Sequence, residues 1–160
     1  MSVSEEVVFV DMATPGLIGV VPAPGLATLP RSWYIDGGVI DEEHQSLLDL
    51  INEGWRSVDE AGAVCVGGLL PILASLRQRF REHFEHEETI MAEMKYPALQ
   101  EHAARHGIAL VQLCSVELRV AEARAVDRGV LHAMLSALID DVLRADIPFK
   151  TFLQESGRIR

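Results

Sequence analysis

A chain of 160 residues with 49% apolar and 24% charged side chains is long enough to bury one core, and its composition is that of a globular domain. The net charge of −10, without any block of Lys or Arg, excludes the electrostatic footprint of a nucleic-acid or anionic-membrane binder. Cys65 and Cys114 are far apart and form no CxxC pair, so neither a disulfide scaffold nor a thiolate zinc site is expected.

In chain order, the N-terminal residues 1–6 are acidic where an export signal would be basic. The apolar run from Gly16 to Leu29 is broken by Pro22, Pro24 and glycines, which rules out a spanning helix. Cytoplasm is the expected location. Residues 1–38 are read as an irregular arm, with Val7–Val10 as a short strand.

From Val39 onward apolar residues return every three or four positions, the period of an amphipathic helix. The spacing predicts a first helix over about 41–60, with Ile40, Leu47, Leu48, Ile51, Trp55 and Val58 on its stripe. A glycine-containing break at 61–68 leads to a second over about 69–94, with Pro71 in its first turn, where a missing N–H is harmless. Lys95-Tyr96-Pro97 separates it from a third over about 97–125. A fourth is predicted over about 130–145, ended by Pro148 and followed by a short turn or helix. The expected fold is all-α, an up-down antiparallel four-helix bundle over 39–160 preceded by the arm.

Polar residues interrupt each apolar stripe. His44 is four after Ile40 and three before Leu47; His83 is three after Phe80, and Glu87 is four after His83. His102 is three after Leu99, with His106 four further on; Asp141 is three after Leu138, and Asp146 is four after Val142. Taken singly, each has a plainer explanation: a core histidine bonded to a carbonyl, a surface i,i+4 pair, or a solvated helix end. Taken together they differ, because burying four imidazoles and three carboxylates uncompensated costs several kcal/mol for each ionised group. Two divalent cations supply about the required charge, and a mixed nitrogen and oxygen donor set suits iron, or else manganese, better than calcium or structural zinc.

Asp41-Glu-Glu-His44 with Leu47 and Ile51-Asn52, His83-Phe-Glu-His-Glu87-Glu-Thr-Ile-Met91, and Tyr96-Pro97 followed by His102-Ala-Ala-Arg-His106 closely resemble the bacterial hemerythrins. Trp33 stands about where that family keeps a tryptophan, and the resemblance covers roughly Trp33 to the C-terminus. It implies that His44 and His83 bind one iron with an open position, that His102 and His106 bind another, and that Glu87 and Asp146 bridge them together with an oxo or hydroxo group. In the family, dioxygen binds at the open iron, taking up two electrons and a proton.

One position departs from the family's HxxxxD pattern: Asp141 stands five before Asp146, where a third histidine is expected for the second iron. His132 cannot substitute, lying nine residues further back, about 13 Å along the axis. His86 is read as a surface packing or hydrogen-bonding residue, and Glu43 and Glu88, each one position from a ligand, as solvated or supporting. Two outcomes follow for Asp141. Either it ligates directly, favouring ferric iron and autoxidation, or it holds a water and opens a second exchangeable position.

The function expected is dioxygen binding as carrier, store or sensor. The alternatives are a di-iron oxidase or peroxidase using the altered site, and a vestigial site in a storage or interaction module. Dioxygen or peroxide and a redox partner are the expected partners, in a monomer or homodimer.

Overall fold

The computed structural model describes residues 29, 34, 35, 38–56, 66–123 and 128–159. The strand read at Val7–Val10, most of the arm, Trp33, and the side chains of Trp55 and His132 lie outside the described residues. Four helices follow in order: α1 (Val39–Arg56), α2 (Val66–Glu93), α3 (Leu99–Glu122) and α4 (Arg128–Glu155). Each packs against its neighbour in sequence, and α1 packs against α4, which closes the ring of the predicted bundle. No described helix is long and apolar enough to cross a membrane.

The helix ends follow from backbone chemistry. Beyond α2, Lys95 adopts a left-handed φ of 55°, the Tyr96 N–H reaches the Met91 carbonyl at 2.9 Å, and the Lys95 N–H reaches that of Ala92 at 3.0 Å. This is a Schellman stop with lysine where glycine is usual. Beyond α4 the same motif recurs with Gly157 at φ 70° and Arg158 N–H bonded to the Leu153 carbonyl at 2.9 Å. At the start of α1, Asp41 is buried and accepts a hydrogen bond from the Ile35 N–H at 2.8 Å, tying the lead-in residue to the first turn.

Both proline expectations need correcting. α2 begins at Val66, so Pro71 lies inside the helix rather than in its first turn. α4 does not end at Pro148 but continues to Glu155. In each case the proline is on the exposed face, where water can serve the carbonyl that loses its N–H. Beyond Pro148, Phe149 and Leu153 are buried, and their packing holds the helix where propensity alone would break it.

The core divides into two apolar clusters. One contains Leu47, Leu73, Phe80, Phe84, Leu113, Leu135 and Val142; the other contains Ile40, Met91, Tyr96, Phe149 and Leu153, with Leu99 against it. Along every helix the candidate site residues fall between a member of each cluster: His44 between Ile40 and Leu47, His83 and Glu87 between Phe80 and Met91, and Asp146 between Val142 and Phe149. On α3, His102 and His106 fall between Leu99 and Ala109. The bundle therefore holds one polar layer, sealed above and below by hydrocarbon.

Candidate metal centre

Helical periodicity brings six of the seven candidate residues into that layer. His44, His83, Glu87, His102, His106 and Asp146 are all buried. Their donor atoms form two groups, Glu87–His102–His106–Asp146 and His44–His83–Asp146, within each of which the atoms lie no more than 4.8 Å apart.

The two carboxylates stand between the two imidazole pairs. Asp146 places Oδ2 3.1 Å from His44 Nε2 and Oδ1 3.4 Å from His102 Nε2. Glu87 places Oε2 3.2 Å from Nε2 of both His102 and His106, and 3.9 Å from Nε2 of His83. Donors held by one small divalent cation at about 2.0–2.2 Å sit roughly 3 Å apart, so these separations match a shared ion.

Most of these approaches are not hydrogen bonds. Among the described residues His44 Nδ1 and Nε2, His83 Nε2, Glu87 Oε1, His106 Nε2 and both oxygens of Asp146 are buried without a hydrogen-bond partner. His106 Nε2 is as close to Glu87 as His102 is, yet only His102 meets hydrogen-bond geometry there. A native interior rarely leaves so many polar atoms unpaired in one place. Cations complete the valences that the protein leaves open, so the residues fit a metal centre.

The electrostatics carry the same tension. Burial alone would raise Glu87, but the imidazoles of His102, His106 and His83 hold it well below the usual carboxylate range. Burial and the neighbouring Glu87 charge push Asp146 well above its ordinary value, against the opposing pull of the histidines. Burial lowers His44, which keeps its ring neutral and able to donate a lone pair, although Glu87 and Asp41 act in the opposite sense.

Two glutamates support the imidazoles from outside the layer. Glu43 accepts from His83 Nδ1 at 3.0 Å and from His86 Nδ1 at 2.9 Å; Glu88 accepts from His106 Nδ1 at 2.8 Å. Bonding at Nδ1 fixes the tautomer and aims the Nε2 lone pair inward, the usual support of a metal-bound histidine. Burial raises Glu43, but the bonds from His83 and His86 outweigh it and lower its pKa. His86 is partly exposed, in the surface hydrogen-bonding role expected of it. Phe84 stacks on His106, with ring centroids 3.8 Å apart and planes 7° from parallel, and fixes the ring further.

Asp141 is the candidate that the structure does not bring in. It is exposed and belongs to neither donor group. Five residues before Asp146 is ~140° around the helix, and the aspartate side chain is too short to make up that rotation. Its carboxyl instead lines a surface cleft beside His106, where burial and Asp140 raise its pKa while Arg144 opposes them.

A helical bundle with imidazoles and carboxylates from every helix meeting in one buried layer is a cation-binding bundle. The model of the hemerythrin HHE cation-binding domain matches residues 38–146, from the lead-in to α1 through Asp146, and the chain belongs to that family. Comparison with curated proteins and with solved structures gave no match.

Proposed function

We propose that this protein holds two iron ions between Glu87 and Asp146 and binds dioxygen there, as a carrier, store or sensor. The observation behind this reading is the set of unpartnered buried nitrogen and oxygen atoms converging from four helices. His44 and His83 would hold one ion, His102 and His106 the other, with both carboxylates shared. An iron pair would supply the electrons that dioxygen takes up on binding. Glu87 stands farther from the first pair, 3.9 Å from His83 Nε2 against 3.2 Å from His102 and His106, so the first ion would be less crowded by protein donors, with room for an added ligand. Glu43 and Glu88 keep the imidazoles oriented, and the two apolar clusters exclude bulk water from both ends of the layer.

Asp141 favours a second reading. Its absence from the cluster leaves the His102–His106 side without a donor from that position, which would favour oxidase or peroxidase chemistry over reversible carriage.

The test is elemental analysis of freshly purified protein, followed by air added to the ferrous form. Two irons per chain and a visible absorption band that fades on deoxygenation are expected for binding. Sustained consumption of peroxide or an organic reductant supports the enzyme. Fewer than two metals per chain overturns both.

A further inference from the structure

The cleft between α3 and α4 plays no part in holding the converging side chains, yet it ends on one of them. It measures about 220 Å³ and is lined by His106, Arg105, Ala109 and Gln112 of α3 and by Asp141 and Ala145 of α4, among others. His106 is 2% exposed in all and closes the floor of the cleft, and its buried Nε2, without a hydrogen-bond partner, stands 3.2 Å from Glu87 on the inner side. The alanines at 109 and 145 leave space that longer side chains would fill. At ~30 Å³ per water there is room for roughly seven.

The lining is mixed: Ile108, Ala109, Val142 and Ala145 form apolar walls, and the polar groups are few. Arg105 and Asp141 are exposed and bring opposite charges, and Gln112 adds an amide. These three groups offer hydrogen bonds that a small polar ligand can make and an apolar gas cannot. Among the described residues of α4, only Asp146 reaches the group formed by Glu87, His102 and His106. With Asp141 turned to solvent, the next space on that side is the cleft.

We propose that this cleft admits small polar oxygen or nitrogen donors, of the size of hydrogen peroxide or azide, to an exchangeable position on the ion held by His102 and His106. The inference rests on the dinuclear reading above. Arg105 would draw an anionic ligand to the mouth, and the Asp141 carboxylate would accept a hydrogen bond from a protonated one.

The test is an azide titration of the ferric protein, followed by the azide-to-iron absorption band and by stopped-flow mixing. Ala109→Leu fills the wall, Asp141→Phe fills the mouth and Asp141→Ala widens it. Both filling variants are expected to retain two irons per chain and to weaken or slow azide binding by at least about tenfold. Asp141→Ala should bind at least as fast as the parent. Unchanged azide binding in both filling variants overturns the proposal. If Ala109→Leu does not fold, Asp141→Phe, at an exposed position, decides alone. Two irons with azide binding indifferent to the cleft refute only this inference, whereas fewer than two irons refute the dinuclear reading beneath it.

Discussion

Glu88 on α2 accepts a hydrogen bond from His106 on α3 at 2.8 Å, while its neighbour Glu87 turns inward to stand 3.2 Å from the other nitrogen of the same ring. Two adjacent glutamates thus grip one imidazole from opposite sides, one outside the metal layer and one within it. Glu43 does the same for His83 from α1, one residue before His44. α1 and α2 therefore each supply donors to the centre and also steady a donor on the next helix. This makes ligand geometry depend on helix packing.

Glu88→Gln keeps a hydrogen-bond acceptor but removes the charge that favours an Nδ1–H facing it. Metal affinity at the His102–His106 position should fall about 10- to 100-fold, as is usual for lost outer support, and Glu43→Gln should do the same at the His44–His83 position. Competition against a chelator of known affinity measures both. Affinity unchanged in both variants would show that packing alone, including the Phe84 stack, orients the rings.

Asp146→Asn should separate stability from binding. The folded-state pKa of Asp146 is raised above its unfolded value by burial and by Glu87. The folded metal-free protein therefore binds more protons than the unfolded chain between those two values, and this group's contribution falls as pH rises through the folded value. At neutral pH the neutral asparagine should raise the melting temperature of the metal-free protein, by about 2–4 °C for each kcal/mol relieved. The same substitution should abolish binding of two ions, and the stabilisation should vanish in mild acid. Calorimetry of chelator-treated protein at two pH values checks the sign.

Two substitutions on α3 should move stability in opposite directions. A methyl group added at Gly107 meets no atom within 4 Å, and the position is exposed inside the helix. Gly107→Ala should stabilise by about 0.5–1 kcal/mol through backbone entropy and helix propensity. Leu113 is wholly buried, and Leu113→Ala should cost about 2–5 kcal/mol from lost burial and the cavity left behind. Denaturant unfolding of the metal-free proteins gives both values. A destabilised Gly107→Ala would mean that the helix bends there in solution.

How much of this was legible beforehand depends on the residue. His83, Glu87, His102 and His106 could be placed because i and i+4 on a helix always share a face, and Leu99, Phe80 and Leu110 marked which face was apolar. Glu43 and Glu88 could not be assigned. One residue from a ligand is a rotation of ~100°, and whether that points to water or to a neighbouring imidazole depends on where the next helix lies. The adjacency to a ligand was the only available signal. Asp141 matches a stripe by its distance from Leu138, yet it is exposed, because an aspartate at this offset from Asp146 is too short to reach the layer. Pro148 reads as a stop by local propensity, which burial of Phe149 and Leu153 outweighs.

Periodicity along the chain, by itself, determined that there would be four amphipathic helices and which polar side chains would be forced inward, because both depend only on spacing within one helix. The packing of those helices decided the rest: that Asp146 and Glu87 fall between the two imidazole pairs, that Glu43 and Glu88 become supports, and that Asp141 opens onto a cleft. Those are relations between helices, set by interlocking side chains from distant parts of the chain, and no local spacing encodes them.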